Sequence, residues 1–212
     1  MSISPRIAAI VAVILVAAGL IAAWVFSQET APDRFAQCRR GVVGGGAQIG
    51  GPFTLTSETG QVVTDKDVIK GPSLVYFGYT YCPDVCPIDS TRNAEATDIL
   101  ATRGYDVTPI VISVDSARDT PEHLRDFTEL MSPKMIGLSG TPAQTDAAVK
   151  AYRAYYKVQE PGNPNTLIDH STQTYLMFPD TGFAEFYNRD TTPEEMAKSD
   201  ACFVDAWKAD GK

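Results

Sequence analysis

Hydrophobic and polar positions divide most of the chain into short apolar runs that alternate with longer segments of mixed character. Residues 74–77 and 107–114 are nearly continuous apolar runs, which are typical of strands buried inside a parallel sheet. Residues 136–138 predict a third, shorter strand. Pro109 must lie near the start of its strand or on a sheet edge, because proline has no N–H to donate.

Sequence features typical of helix starts and ends follow these apolar runs. Threonine followed by proline recurs three times, as is typical of a helix N-cap and first helical position: Thr120-Pro121, Thr141-Pro142 and Thr192-Pro193. The second of these helices is predicted to end near residue 155 and the last near residue 209. A further helix is predicted over residues 89–101, because Arg103-Gly104 follows it.

Two hairpins complete the pattern. Residues 53–56 and 61–64 flank a Gly60 turn, and residues 175–178 and 183–187 flank the turn Pro179-Asp180-Thr181-Gly182. Residues 159–165 form a polar loop that contains proline and glycine. Strands alternating with helices, followed by a hairpin and a last helix, predict a three-layer α/β/α domain with a central mixed sheet.

The N-terminal part has a different composition. Residues 7–26 are uncharged and apolar, long enough to span the roughly 30 Å core of a membrane, and end in Trp24-Val25-Phe26, an interfacial anchor. We expect an uncleaved anchor; a cleaved signal peptide is the alternative. With Arg6 inside, residues 1–6 are cytoplasmic, residues 27–50 form a tether, and residues 51–212 form the domain in the periplasm.

The charge of the chain limits its partners. The formal net charge is −8. Without Arg6 in the N-terminal segment, 17 basic and 26 acidic residues leave −9. This acidity argues against nucleic acid as a partner and favours solubility or a basic partner surface.

The stretch after the first buried strand carries the candidate chemistry. Cys82 and Cys86 lie four positions apart on a strand-to-helix turn, where their sulfur atoms could share a metal or form a disulfide. The nearby helix N-terminus is expected to favour the thiolate form. A dithiol at this position indicates, by analogy, a thioredoxin-like architecture; a purely structural disulfide is the alternative.

The chain has two histidines, and their positions differ. His123 lies early in a polar helix and is expected to be a solvated surface residue. His170 precedes the second hairpin, and in a thioredoxin-like sheet the segment that enters this hairpin packs against the dithiol turn. We therefore expect His170 to face Cys82 and Cys86.

Two thiolates and one imidazole form a soft set of three donors. Copper accepts such a set as it stands. Structural zinc requires a fourth ligand and iron–sulfur clusters usually require four cysteines, so each would have to recruit Cys38 or Cys202. Copper is the best chemical match.

The chain resembles the Sco/SenC family of copper-binding thioredoxin-fold proteins, which are membrane-anchored factors in cytochrome c oxidase assembly. The resemblance runs from about Gly51 to Tyr187. It rests on four stretches: residues 75–80 with Cys82-Pro83-Asp84-Val85-Cys86-Pro87, residues 113–115 with 118–122, residues 137–141, and Asp169-His170-Ser171-Thr172 with residues 175–177.

The resemblance places the copper ligands on Cys82, Cys86 and His170. Ser116 departs from the family, which often has proline there. Asp115 and Arg118 are expected either to orient the site or to form a structural salt bridge. The implied partners are the copper-receiving subunit of cytochrome c oxidase and another periplasmic copper carrier.

Cys38 and Cys202 lie outside the shared stretches. In an oxidising compartment such an even pair favours a disulfide, here between the entry segment and the last helix. Two buried free thiols are the alternative.

Three functions are compatible with these residues. The first is a copper metallochaperone, which is not an enzyme in the usual sense. The second is a thiol–disulfide oxidoreductase that acts on the cysteines of the oxidase copper site, although its spacing is CxxxC and not the usual CxxC. The third is a peroxidase that uses Cys82 and Cys86, in which His170 would have no role.

Overall fold

A computed structural model describes residues 5–26, 33–39 and 48–209, which divide into the units Met1–Gln37 and Cys38–Lys212. The first unit contains helix α1 (Pro5–Phe26), along which large apolar side chains such as Leu15 and Leu20 are exposed. Over the residues whose placement is described, no helix meets the length and hydropathy required to cross a membrane. Most of the predicted tether, residues 27–32 and 40–47, lies outside the described residues.

The second unit is built on a seven-stranded sheet. Its strands are β1 (Thr54–Ser57), β2 (Val62–Thr64), β3 (Ser73–Gly78), β4 (Thr108–Ser113), β5 (Ile136–Ser139), β8 (Thr174–Phe178) and β9 (Gly182–Tyr187). They lie in the order β2-β1-β5-β4-β3-β8-β9. Strands β3, β4 and β5 are parallel, whereas β1, β8 and β9 add antiparallel pairs, so the sheet is mixed as predicted.

Five helices accompany the sheet in the described part of this unit: α2 (Asp65–Val68), α3 (Val85–Thr102), α4 (Pro121–Met131), α5 (Pro142–Ala151) and α6 (Pro193–Ala209). The threonine caps are confirmed for all three helices, α4, α5 and α6; before α6, the Glu195 amide donates to the Thr192 hydroxyl over 3.2 Å. Thr120 accepts a hydrogen bond from the His123 amide, and Thr141 accepts one from the Gln144 amide.

Both faces of the sheet are covered by helices. Neighbouring residues of a strand point to opposite faces. On β3 the hydroxyl of Tyr76 reaches Asp89 of α3, whereas the Phe77 ring packs 5.3 Å from that of Tyr152, directly after α5. Helix α3 packs against α6. All six residues of β3 are buried, so the central strand lies between two helical layers.

Two helix boundaries differ from the prediction. Helix α3 begins at Val85 and not at residue 89, which places Cys86 and Pro87 in its first turn. Proline is tolerated there because the first amides of a helix have no partner within it. Helix α5 ends at Ala151 and not near residue 155, because Arg153 adopts a left-handed φ of 52°.

A small two-stranded ribbon was not predicted. Strands β6 (Tyr156–Val158) and β7 (Ile168–His170) pair antiparallel, and the predicted polar loop 159–165 lies between them. The ribbon is separate from the main sheet and carries His170 at the end of β7, so this histidine lies in a strand and not in a loop.

Candidate metal centre

The two cysteines occupy the junction between β3 and α3. Cys82 lies in the connecting turn and Cys86 is the second residue of α3. Both side chains are buried and neither forms a disulfide. The backbone amide of Cys86 donates to Sγ of Cys82 over 3.3 Å. The first turn of α3 therefore directs one of its otherwise unpaired amides at a sulfur atom.

Gly78 leaves room for the second cysteine at the end of β3. A Cβ atom on Gly78 would lie 2.7 Å from Cε1 of Tyr76 and 3.2 Å from Sγ of Cys86. The first distance is shorter than a carbon–carbon contact allows, and both neighbours are buried. Glycine at this position allows α3 to bring Cys86 close to the strand.

His170 faces the cysteines from the ribbon. Its Nδ1 lies 2.9 Å from the carbonyl oxygen of Ser171, which can only accept, so Nδ1 carries the proton and donates. In the neutral ring this leaves a lone pair on Nε2, which lies 3.2 Å from Sγ of Cys86. The hydrogen bond to the backbone therefore leaves the lone pair of Nε2 facing the dithiol, where it can bind a metal.

The three side chains form one compact cluster. One donor atom from each of Cys82, Cys86 and His170 lies within 4.8 Å of the other two, and within the described ranges no other group of this kind was found. Two sulfur atoms and one imidazole nitrogen suit soft metals such as Cu(I). The cluster fits a copper ion in the chemistry of its donors and in their spacing.

Two tyrosines enclose the histidine. The His170 ring makes edge contacts with Tyr76 and Tyr79, at centroid distances of 6.1 and 5.7 Å. The Tyr79 hydroxyl accepts a hydrogen bond from the Ile168 amide, and the Tyr76 hydroxyl donates to Asp89. Burial raises the pKa of both phenols. The sequence pattern alone indicates no role for these tyrosines; the available signal was that both lie within two residues of Gly78, in the stretch that leads to Cys82.

The electrostatics of Cys86 differ from the expectation. The helix N-terminus was expected to favour its thiolate, but burial raises the pKa of the Cys86 thiol, and the neighbouring Cys82 sulfur adds to this effect. Removal of a fully buried sulfur from water therefore outweighs the helix terminus in the metal-free protein. A bound metal replaces the thiol proton, because a thiolate is the ligand form of cysteine.

The cluster is open to solvent on one side. A cleft of about 290 Å³ lies between the dithiol turn and the ribbon. Exposed Asp84 and Asp169 contribute carboxylates to its walls, and Cys82 and His170 also line it. A ligand can therefore approach Cys82 and His170 through this cleft, whereas Cys86 is fully covered.

Asp115 and Arg118, the pair predicted to orient the site or to form a salt bridge, lie outside the cluster of three ligands. Arg118 forms a salt bridge with Asp115, and its guanidinium lies 5.8 Å from the centroid of the Tyr79 ring and 5.0 Å from that of Tyr81. The pair therefore reaches His170 through Tyr79. Ser116, the position that departs from the family, shares a 2.9 Å hydrogen bond with Thr145.

His123, Cys38 and Cys202, the other residues singled out in the sequence, lie outside the cluster. His123 is exposed in the first turn of α4, and its Nδ1 lies 2.9 Å from the Arg118 carbonyl oxygen, outside the cluster. Cys38 and Cys202 are joined by a disulfide, with a Cα–Cα distance of 5.7 Å. This bond links the segment before the domain to α6.

Comparison with known proteins identifies proteins of similar sequence. Protein SenC of Rhodobacter capsulatus is 64% identical over 214 residues, covering 100% of this chain and 96% of SenC. The mitochondrial SCO1 homolog of Homo sapiens is 38% identical over 157 residues, covering 71% of this chain and 51% of the human protein. The chain thus matches about half the length of that relative.

Solved structures agree with this relationship. The crystal structure of Arabidopsis thaliana ScoI with copper bound matches with a TM-score of 0.70 and 35% identity, covering 76% of this chain and 99% of that one. The fold and the cluster thus define a thioredoxin-like α/β domain, as predicted, with a sulfur- and nitrogen-donor site after its first central strand. The sequence model of the SCO1/SenC family matches residues 43–204, and the chain belongs to this family.

Proposed function

We propose that this chain is a copper metallochaperone: it binds one copper ion through Cys82, Cys86 and His170 and delivers it to the copper-receiving subunit of cytochrome c oxidase. Copper is the cargo of the protein. The observation that carries the proposal is the placement of the three donor atoms within 4.8 Å of one another. The copper-bound structure of the related ScoI supports the choice of metal.

The chemistry of the three ligand atoms further narrows the choice of metal. Two sulfurs and one nitrogen favour copper over hard cations, which prefer oxygen ligands. The described residues bring three soft donors together, whereas structural zinc sites use four. The open cleft beside Cys82 leaves a route by which a partner donor could reach the ion.

The proposed location is the inner membrane, with one membrane span over residues 7–26 and the domain in the periplasm. The uncharged, apolar sequence of residues 7–26 supports this span, and Arg6 before it supports the orientation. In this compartment the donor of the metal would be another periplasmic copper carrier.

A second candidate function is thiol–disulfide exchange with the cysteines of the oxidase copper site. The observation that favours it is the free pair Cys82 and Cys86, which lie close enough for the Cys86 amide to donate to the Cys82 sulfur. The same two sulfurs must be reduced for copper binding and for electron donation.

Metal analysis and absorption spectra of the full-length protein test the proposal. The reduced protein should bind one equivalent of copper, and its Cu(II) form should show an intense visible sulfur-to-copper band. His170→Ala should abolish stable binding, whereas the matched variant His123→Ala should retain it. Absence of stoichiometric copper in the unmodified protein, or an unchanged His170→Ala variant, would reject the proposal.

A further inference from the structure

The three proposed ligands come from two separate pieces of the fold. Cys82 and Cys86 belong to the β3–α3 junction, whereas His170 belongs to the β6–β7 ribbon, which is not part of the main sheet. The geometry of a three-donor site therefore depends on what holds the ribbon beside the junction. The connection from β4 to α4, residues 114–120, contacts both pieces.

Asp119 holds the dithiol turn. Its carboxylate is buried and accepts hydrogen bonds from the Thr80 amide at 3.1 Å and from the Thr80 hydroxyl at 2.6 Å. The Ser113 hydroxyl at the end of β4 donates to the same carboxylate. Thr80 is two residues before Cys82, so Asp119 fixes the path of the chain into the first cysteine.

Arg118 holds the ribbon. Its Nη1 donates to the carbonyl oxygen of Pro164, in the loop between β6 and β7, over 3.0 Å. The same guanidinium lies against Tyr79, whose hydroxyl accepts the amide hydrogen of Ile168, two residues before His170. One side chain thus connects the ribbon loop to the ring that packs against the histidine.

The connection is held in place by its own hydrogen bonds. The Asp119 amide donates to the Asp115 carbonyl over 3.0 Å, and the Asp115 amide donates to the Ser113 hydroxyl over 2.9 Å. Thr120 then begins α4 as its N-cap, and the salt bridge to Asp115 fixes the Arg118 side chain. The two residues therefore extend from one hydrogen-bonded turn between a buried strand and a capped helix.

We propose that the β4–α4 connection positions the copper site, with Asp119 fixing the dithiol turn and Arg118 fixing the ribbon that carries His170. This inference rests on the proposed function, because it concerns the same three ligands. Asp119 and Arg118 are positioning residues, since their contacts reach the ligands through Thr80 and Tyr79. Their two effects are separable, because each residue acts on a different piece of the site.

The test uses the full-length protein and Cu(II) itself. Arg118→Ala should lower copper affinity by up to about 10-fold, the lower end of the effect of losing a group that contacts a ligand directly, because Arg118 acts through Tyr79. It should also weaken the nitrogen coupling of His170 in the electron paramagnetic resonance spectrum. Arg118→Lys keeps the charge and one donor and should recover part of both. The exposed Arg103→Ala, at the end of α3, is the matched control and should change neither.

A second set of variants tests the role of Asp119 at the dithiol turn: Asp119→Asn and the near-isosteric Thr80→Val. Both should shift the sulfur-to-copper band and change the alkylation rate of Cys82 in the metal-free protein, while the nitrogen coupling persists. The exposed Asp126→Asn on α4 is the control. Urea unfolding identifies well-folded variants for the comparison, and Thr80→Val provides the test if Asp119→Asn does not fold.

The outcomes distinguish this inference from the proposed function. If the unmodified protein binds no copper, the proposed function fails and the inference fails with it. If the unmodified protein binds copper through His170 but well-folded Arg118→Ala and Thr80→Val variants keep its affinity and spectra, the inference alone is overturned. A uniform loss of affinity with no change in either spectral feature would also overturn it, because that pattern indicates general destabilisation.

Discussion

The Sγ atom of Cys86 lies 3.2 Å from Nε2 of His170, although 84 positions separate the two residues in the chain. Cys86 is fully buried in the first turn of α3, and His170 ends a strand of the separate ribbon. The contact joins the cysteine junction to a nitrogen donor, whereas a simple dithiol exchange reaction requires only the two sulfurs. This contact is therefore the point at which the two candidate functions differ.

His170→Ala separates those functions in the cell. The change leaves Cys82 and Cys86 intact but removes the nitrogen donor of the cluster. A metallochaperone should then lose stable copper and fail to support oxidase assembly, while the dithiol still oxidises and reduces. The measurement is oxidase activity and copper content in membranes of a strain that carries only this variant, at matched protein level. Near-normal oxidase at limiting copper would favour the oxidoreductase instead.

The features that could be predicted from the sequence depend on residues close to one another in the chain or on the known order of strands in the fold. Proline directly after threonine has a steric reason to begin a helix, and α4 and α5 begin at Pro121 and Pro142 with threonine caps. Cys82 and Cys86 follow a buried strand whose apolar run is uninterrupted. His170 could be associated with them because the chain has two histidines and because the order of strands in a thioredoxin-like sheet brings its segment near the junction.

The parts that the sequence did not indicate depend on contacts between distant segments. Strands β6 and β7 have three residues each, too few for an alternating pattern to be recognised. The donation from Arg118 to Pro164 spans 46 positions, and nothing next to Arg118 in the chain indicates its partner. The raised pKa of Cys86 results from burial by the folded chain, so a local rule about helix termini gave the opposite direction.

Gly78→Ala should disturb the cluster by steric contact alone. The added Cβ would lie 2.7 Å from a ring carbon of Tyr76 and 3.2 Å from the Cys86 sulfur. We expect the free energy of unfolding to fall by about 1–3 kcal/mol, the usual effect of overpacking a core, together with weaker copper binding. Urea denaturation and copper titration measure the two effects. Gly71→Ala is the matched control, since nothing lies within 4 Å of its Cβ position; equal results for both variants would contradict the prediction.

The proposed anchor predicts the topology of the protein in cells. If residues 7–26 remain in the membrane with Arg6 in the cytoplasm, protease added to intact spheroplasts should digest residues 51–212. A cytoplasmic protein that stays intact in the same sample serves as the control. A mature protein that begins beyond Phe26 would contradict the anchor, and a domain protected from protease would contradict its orientation.

The disulfide between Cys38 and Cys202 should contribute strongly to stability. It closes a loop with a sequence separation of 164. The chain-entropy relation gives about 5 kcal/mol for a loop of this size, and measured values are often smaller. The double variant Cys38→Ser with Cys202→Ser should therefore unfold at lower urea than the oxidised parent. Thiol labelling of the unfolded, unreduced and copper-free parent should leave both residues unmodified; labelling of both would show that the bridge is absent.

Asp200 should make the stability of the domain depend on pH. Its carboxyl group is fully buried in α6, accepts a hydrogen bond from the Tyr187 hydroxyl over 2.5 Å, and has a pKa that burial raises to about 7. An exposed aspartate has a pKa of about 3.9. Between these values the folded state binds more protons than the unfolded state, so the free energy of unfolding falls as pH rises.

The stabilising contribution of the protonated carboxyl is thus fully present below about pH 4 and is lost as pH rises through about 7. The slope is at most about 1.4 kcal/mol per pH unit for one group. Asp200→Asn keeps an acceptor for Tyr187 but cannot titrate, so its stability should fall less steeply between pH 5 and pH 7.5. Urea unfolding across this range measures the difference, with the exposed Asp98→Asn as the control. If the parent and Asp200→Asn have the same slope, the pKa of Asp200 is not raised in the folded protein and the prediction is wrong.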